Sequence, residues 1–303
     1  MKRQYTIYQI NSFTQEKFSG NPAGVVTNAA GLTNDEMLFI ARELKNSETA
    51  FIFNPEKTNS DYDVEVRFFT PTTEVPICGH ATIAAHFVRA LEKEVRAGET
   101  FFQKTKAGIL PIEIVQTGDT IKVKMTQGRI DFEPVDKPYQ VQIREALGLT
   151  ENDLNPDCPI EIASTGHSKV MIGIRSRKKL HELLPDFDRL KHLSNAIHCN
   201  GYFVFTFDSD DPAILTHGRM FAPAIGIYED PVTGNANGPL GAYIVKHQLA
   251  KWTGDRFSFT AKQGEAIKRA GTMEVFVDVE NNHPVKVEIL GGAVVVFKTV
   301  IEL

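Results

Sequence analysis

The chain has 303 residues, of which 42% are hydrophobic and 23% charged, and its formal net charge is −5. This composition suits a globular protein with enough core for two domains, and the weakly acidic balance argues against a nucleic-acid partner. The first residues lack the apolar core of a signal peptide, and no apolar stretch approaches membrane-spanning length. We therefore expect a cytoplasmic protein with no membrane partner.

Strands predominate among the elements predicted for the first part of the chain. Short runs rich in β-branched and aromatic residues indicate strands at Tyr5–Ile10, Thr49–Phe53, Val64–Phe69, Ile109–Val115 and Ile121–Met125. Helices are predicted at Asn34–Leu44, with Asn34 as the capping residue, and at Ala81–Glu94. Apolar residues cover most of the circumference of the second helix, so we expect it to be buried on nearly all sides.

The second part of the chain repeats this mixture after a linker, which two prolines and alternating charges predict at Gln127–Pro138. Helices are predicted near Val141–Leu147 and at Pro239–Leu249. Strands are predicted at Lys169–Ile174, Tyr202–Phe207, Leu215–Met220, Glu274–Val279, Val285–Leu290 and Ala293–Ile301. Turns are expected at Asn281-Asn282 and at Gly291-Gly292. The predicted domains are 1–127 and 128–284, and the strand at about 285–303 is expected to pack back onto the first.

One sequence motif occurs twice. The pattern Arg-x-Phe-x-Pro, followed by Glu-x-Pro-x-x-Gly, spans Arg67 to Gly79 and again Arg219 to Gly234, with three extra residues in the second copy. A duplication of this length suits two related domains rather than a solenoid, so we expect two similar lobes that meet at a cleft.

Each copy of the motif places a glycine just before a predicted helix. The first turn of a helix exposes free backbone N–H groups at the positive end of the helix dipole, which favours binding of a carboxylate or phosphate. Pro239 is expected in the first turn of its helix, where proline is tolerated. The pattern predicts two helix N-termini that face one small anionic ligand.

Three residues are candidates for proton chemistry. Glu48 lies at the mouth of an apolar strand, and burial in apolar surroundings raises the pKa of a carboxyl group toward the range useful for proton transfer. His80 starts the first buried helix, and Asp230 lies in the turn that enters the second. Taken singly, each residue also has a purely structural interpretation. Glu48 could be a solvated residue at a strand end, His80 could be a hydrogen-bonded histidine at a helix start, and Asp230 could form a local hydrogen bond in its turn. The corresponding positions of His80 and Asp230 in the repeat favour the functional interpretation.

The cysteines suggest neither a disulfide framework nor a metal centre. Cys78, Cys158 and Cys199 are an odd number, so reduced thiols are expected, and none has metal-ligand spacing. A metal site could arise only from distant positions. Cys78 matches Thr233 in the repeat, which disfavours a racemase mechanism with two opposed thiols.

Four segments, Asn21–Val26, Ser47–Phe51, Glu74–Thr82 and Asp230–Gly234, resemble the phenazine-biosynthesis PhzF-like family, which also includes YddE-type proteins. The resemblance runs in order over essentially the whole chain. It implies an α+β fold of the diaminopimelate-epimerase type, in which two pseudo-symmetric lobes each wrap a curved, mostly antiparallel sheet or barrel around a central helix. The active-site cleft lies between the lobes, and the family is often homodimeric.

The resemblance also implies cofactor-independent isomerase chemistry on a small carboxylate. In the characterised phenazine enzyme, a glutamate takes a proton from one ring carbon of a dihydro-hydroxyanthranilate and returns it to another. By motif, that glutamate is Glu48, and His80 and Asp230 assist. The implied substrate-binding residues are Ser47, Gly79, Thr233, Gly234 and Asn235. Asn235 replaces the serine common in the family; asparagine can also hydrogen-bond a carboxylate.

Two alternatives stay open. An amino-acid racemase, epimerase or dehydratase of the proline-racemase type would use Cys78 as a working base. A non-catalytic carboxylate-binding protein would keep the cleft without turnover.

Overall fold

The computed structural model describes residues 2–55, 61–92 and 95–303, with the fold class α+β. Two compact units are present: residues up to Thr126 together with Leu290–Leu303, and Gln127–Ile289. All three cysteines are buried, and none of them forms a disulfide bond. Among the described residues, none of the helices has the length and apolar character needed to span a membrane.

The first unit contains strands and two helices. The strands are β1 (Gln4–Ser12), β2 (Asn21–Val26), β3 (Glu48–Phe53), β4 (Val64–Phe69), β5 (Glu74–Val75), β6 (Thr100–Thr105), β7 (Gly108–Thr117) and β8 (Thr120–Thr126). The helices are α1 (Asn34–Leu44) and α2 (Gly79–Leu91). The strand order β1-β2-β3-β4-β6-β7-β8 is completed by the last strand of the chain, which pairs with both β8 and β1 and so forms a closed barrel.

The second unit has the same kinds of element. Its strands are β9 (Asp131–Pro134), β10 (Glu161–Ser164), β11 (Lys169–Ile174), β12 (Tyr202–Thr206), β13 (Thr216–Ala222), β14 (Ile227–Asp230), β15 (Arg256–Gln263) and β16 (Gly271–Glu280). Its helices are α3 (Lys137–Ala146), α4 (Arg177–His181), α5 (Phe187–Ala196) and α6 (Gly234–Lys246). Strand β17 (His283–Glu302) runs from the end of the second unit into the first.

The duplicated motif forms the same local structure in both units. Each copy makes an antiparallel strand pair, β4–β5 or β13–β14, followed by a 13-residue helix. The arginine and glutamate of each copy form a bidentate ion pair. Arg67 Nε and Nη2 lie 2.8 and 2.7 Å from Glu74, and Arg219 Nε and Nη2 lie 3.0 and 2.7 Å from Glu229. The shared arginine and glutamate therefore hold the two strands of each pair together.

Helix α2 is buried as its apolar circumference predicts. Every residue from Gly79 to Arg89 is buried, and the helix packs against β1, β2, β3, β7 and β8. It begins two residues before the predicted start, and the predicted end at Glu94 lies outside the described residues.

Several local predictions were wrong. Thr33, rather than Asn34, caps α1, because its hydroxyl accepts the Glu36 N–H at 3.2 Å while the Glu36 carboxylate accepts the Thr33 N–H at 2.8 Å. The predicted linker contains β9 and the start of α3. Pro239 lies inside α6 instead of in its first turn, since the helix already begins at Gly234.

The predicted turn at Gly291-Gly292 is also wrong, because β17 passes through both glycines without a break. A Cβ atom at Gly291 would overlap the ring of Phe13, and the Phe13 N–H donates to the Gly292 carbonyl at 2.7 Å. These glycines permit a close approach within a strand. The Asn281-Asn282 turn is confirmed, with φ angles of 50° and 63°.

Candidate functional site

Glu48 and His80 lie side by side at the start of β3 and of α2. Glu48 Oε2 is 3.4 Å from His80 Nε2, and the two side chains are 14% and 7% exposed. Oε2 is buried and has no hydrogen-bond partner among the described residues. Ser47 Oγ lies 3.3 Å from the same imidazole nitrogen. Because a buried carboxylate oxygen without a donor is unfavourable, this atom is suited to accept a proton or a hydrogen bond from a ligand.

The backbone around His80 is fixed from both sides. The Ser12 hydroxyl donates to the His80 carbonyl at 2.8 Å, and the Thr82 hydroxyl donates to the Cys78 carbonyl at 2.7 Å. Cys78 is the N-cap residue of α2, and its side chain makes no capping hydrogen bond. The first N–H groups of α2 therefore receive no cap from that side chain, as an anion site requires.

Cys78 adds a thiol to this cluster. Its Sγ lies 3.4 Å from His80 Nδ1 and 4.0 Å from His80 Nε2. One ligand atom each from Glu48, Cys78 and His80 lies within 4.8 Å of the others. This thiol, imidazole and carboxylate set has the donor types that zinc accepts, and it joins Glu48 to the neighbouring Cys78 and His80.

In the second unit, Asp230 belongs to a buried hydrogen-bonded network. The Thr233 hydroxyl donates to the Asp230 carboxylate, and Gln263 Nε2 donates to the Asp230 carbonyl at 2.8 Å. Gln263 Oε1 accepts the Thr233 N–H at 3.1 Å and Asn237 Nδ2 at 2.9 Å. The turn before α6 is thus held in place by side chains from β15 and from α6 itself.

Gln127 fixes the first residue of α6. Its Nε2 donates to the Gly234 carbonyl at 2.9 Å and lies 3.5 Å from Asn235 Oδ1, while its Oε1 accepts the Thr165 hydroxyl at 2.6 Å. A Cβ atom at Gly238 would overlap Gln127, which explains the glycine on that side of the helix.

Lys169, the first residue of β11, is buried with 4% exposure. Burial lowers the pKa of its amine to about 8, while the charges of Cys199 and Asp230 act in the opposite direction. A charged residue at the mouth of an apolar strand is the same sequence signal that identified Glu48. Lys169, which precedes the apolar residues of β11, carries the same signal.

The predicted site residues fall into two groups. Ser47, Glu48, Gly79 and His80 lie together in the first unit, and Asp230, Thr233, Gly234 and Asn235 lie together in the second. The sequence does not indicate Gln127, because its surroundings are typical of a linker. Gln263 lies 33 residues after Asp230, and no local pattern indicates their contact.

Comparison with known sequences gives a consistent result. The profile of the family described as phenazine biosynthesis-like protein matches residues 10–299. An uncharacterized isomerase of Clostridium acetobutylicum is 58% identical and covers 99% of this chain and 98% of its own. The uncharacterized isomerase YddE of Escherichia coli is 45% identical over 96% of each chain. A trans-2,3-dihydro-3-hydroxyanthranilate isomerase of Pseudomonas aeruginosa is 29% identical over 79% of each.

Solved structures agree in fold. A PhzF-family phenazine biosynthesis protein from Bacillus anthracis has a TM-score of 0.89 and 29% identity, and 99% of both chains is covered. A hydroxyproline epimerase from Agrobacterium vitis has a TM-score of 0.62 and 11% identity, with 99% of this chain and 92% of that one covered. At that identity the second likeness concerns the fold alone.

Proposed function

The chain belongs to the phenazine biosynthesis-like protein family, and we propose that it is an isomerase that moves a proton between two carbons of a small carboxylate, with Glu48 as general acid and base. The single observation that carries this proposal is the buried Glu48 Oε2, which lacks a hydrogen-bond donor and lies 3.4 Å from the His80 imidazole. Such an atom is available for a substrate C–H group.

The proposed reaction is redox-neutral and needs no cofactor. The Glu48 carboxylate takes a proton from a substrate carbon, and the electron pair left behind moves into an adjacent double bond. The resulting carboxylic acid then returns the proton to a different carbon of the rearranged system. Proton transfer by a positioned side chain supplies about 10²–10⁴-fold of rate enhancement.

His80 and Ser47 orient the substrate in this proposal. His80 Nε2 lies 3.4 Å from Glu48 Oε2 and 3.3 Å from Ser47 Oγ, and the fixed backbone of His80 limits the directions its ring can take. Asp230, Thr233, Gly234 and Asn235 are proposed as further substrate-contacting residues, supported by the position of the Asp230 network at the start of α6.

The name of one relative supports a proposal for the substrate class. The Pseudomonas aeruginosa relative is named for a ring that carries an amino group and a carboxylate. We infer that the substrate of this chain is a small cyclic or amino carboxylate.

Homodimer formation stays a prediction.

The test is solvent deuterium uptake, followed by mass spectrometry, into a panel of small cyclic and amino carboxylates. Glu48→Gln keeps the shape of the side chain but cannot take a proton, so uptake should fall by about 10²-fold or more. Glu43→Gln, on the exposed face of α1, controls for the substitution itself and should keep full uptake. Undiminished uptake in Glu48→Gln would contradict the assignment of the base.

One observation favours a second candidate. The 3.4 Å contact between Cys78 Sγ and His80 Nδ1 could create a nucleophilic or basic thiolate, as a racemase needs. Cys78→Ala in the same assay separates the two, because uptake should persist under the glutamate mechanism and vanish under the thiol mechanism. Tight binding of a carboxylate without any uptake would instead indicate a binding protein.

A further inference from the structure

Lys169 is a buried cation whose charge is not balanced by direct contact with any carboxylate that the structure describes. Its amine donates to the Ser168 carbonyl at 3.1 Å, and within residues 2–55, 61–92 and 95–303 no carboxylate forms an ion pair with it at 4.0 Å or less. Two of its three N–H donors therefore lack a protein partner in that part of the chain. Burying an ammonium group in this state is unfavourable unless an anion completes its surroundings.

Strand register places Lys169 and Asp230 on the same face of the sheet. Side chains two residues apart on a strand share a face, so Lys169 shares the face of Met171. One row of paired residues crosses four strands: Met171, Phe203, Met220 and Asp230. Because paired residues also share a face, the ammonium side chain and the Asp230 carboxylate are directed to the same side.

Helix α6 covers that face. Phe205, two residues after Phe203, packs its ring 5.8 Å from the ring of Tyr243 in α6. The opposite face carries a separate apolar cluster that includes Val170 and Tyr202 and is packed by α3 and α5. Lys169 is thus directed away from that cluster and toward the side of α6.

The loop before Lys169 is tied to the start of α6. Thr165 in this loop donates to Gln127, and Gln127 donates to the carbonyl of Gly234, the first residue of the helix. Lys169 follows at the end of the same loop, where β11 begins. The buried amine is therefore at the same end of the unit as the helix N-terminus.

The duplication relates the position of Lys169 to that of Glu48. Phe69 pairs with Thr49, and its counterpart Phe221 pairs with Tyr202, so Glu48 corresponds to Gly201. Val170 N–H donates to the Gly201 carbonyl at 2.9 Å. Lys169 therefore adjoins, on the neighbouring strand, the position that carries the proposed base in the first unit.

We propose that Lys169 binds the carboxylate group of the substrate in the second unit, beside Asp230 and the start of α6. This inference rests on the proposed function for the ligand class, a small carboxylate, and does not depend on proton transfer by Glu48. With a pKa of about 8, the amine is mostly protonated at pH 7 and can supply the required positive charge.

The test measures binding by isothermal titration calorimetry, with 3-hydroxyanthranilate and its neutral carboxamide as probes. Lys169→Met should weaken binding of the acid by about 10- to 100-fold and leave binding of the amide unchanged, because only the acid loses a charged partner. Lys169→Arg keeps the charge and should retain part of the preference for the acid. Lys191→Met, on the exposed side of α5, is the matched control and should change neither.

Thermal unfolding separates a binding role from a structural one. Lys169→Met removes a buried charge, so its melting temperature should equal or exceed that of the natural protein. A lower melting temperature together with equal losses for acid and amide would overturn the inference in favour of a structural lysine.

The inference and the proposed function can fail separately. Lys169-dependent binding of the acid without deuterium uptake contradicts only the isomerase proposal. Uptake with an unchanged KM in Lys169→Met contradicts only the role of Lys169. If none of the panel carboxylates binds, both are wrong.

Discussion

Gly79 and Gly234 occupy matched positions at the starts of α2 and α6, yet packing accounts for only one of them. A Cβ atom at Gly234 would lie 2.5 Å from Ile289 Cδ1, whereas one at Gly79 would meet no atom of the described residues within 4 Å, apart from its chain neighbours and the backbone of its own helix. The space in front of Gly79 adjoins His80 and the first N–H groups of α2. No described neighbouring side chain therefore requires a glycine at this position, and the use of this space by a ligand stays a prediction.

Gly79→Ala should for this reason separate stability from activity. Alanine is favoured over glycine in a helix by up to about 1 kcal/mol, so the variant should melt at or above the natural temperature. Its methyl group should occupy substrate space and lower deuterium uptake. Gly234→Ala, where the methyl group meets Ile289, should lower the melting temperature. Full uptake in Gly79→Ala would show that the space is not used by the substrate.

The first-unit residues of the candidate site were accessible from the sequence because they lie in short, ordered motifs. Ser47-Glu48 and Gly79-His80 are separated along the chain, but each pair opens an element whose type the local pattern predicts. Gln263 and Gln127 could not be found in this way. Gln263 contacts Asp230 across 33 residues and Gln127 contacts Gly234 across 107 residues, and no local pattern encodes contacts between positions so far apart. The catalytic roles stay predictions.

At the level of elements, the duplicated arginine is more deeply embedded in the second unit. Arg219 is 9% exposed at its side chain and also donates to the Leu180 and Leu183 carbonyls, at 3.0 and 2.9 Å. Arg67 is 23% exposed and has Asn34 as its additional partner. The same sequence position thus connects α4 to the sheet in one unit and the start of α1 to the sheet in the other.

Arg219→Met should therefore destabilise the protein more than Arg67→Met. Removing one partner of a buried ion pair leaves Glu229 uncompensated and costs about 3–5 kcal/mol, whereas a partly exposed pair is worth about 1 kcal/mol. Urea unfolding measured by circular dichroism compares the two variants, and the fluorescence of Trp252, the only tryptophan, follows the second unit. Equal losses would contradict the difference in burial.

Element types were predicted better than their ends, for identifiable reasons. The fold class and the family resemblance are confirmed. Both could be predicted because the duplicated motifs, and a helix with apolar residues around most of its circumference, are recognisable in the sequence. The errors concern proline and glycine, which usually mark the ends of elements but here lie inside α6 and inside β17. At Gly291 the ring of Phe13 packs where a side chain would lie, and this contact, which the sequence does not show, explains the glycine within the strand.

At the level of the whole molecule, the two units differ in the number of chain segments that form them. The second unit is a single segment, whereas the first needs the end of the chain. Strand β1 pairs with β17 along its whole length, from Gln4 with Glu302 to Ser12 with Ala293. Without these residues, β1 and β8 become open edges of the barrel.

A fragment of residues 127–289 should consequently fold when it is expressed alone, and a fragment of residues 1–126 should not. Joining residues 290–303 to the fragment of residues 1–126 through a flexible linker should restore the fold of the first unit. Arg3 and Leu303 exchange backbone hydrogen bonds at 2.9 Å, and residues 290–303 need only their partners β1 and β8. Circular dichroism and amide hydrogen exchange measure both. Protected amides in residues 4–12 of the fragment without 290–303 would show that β1 is stable without β17, and the first unit would then be independent of the end of the chain.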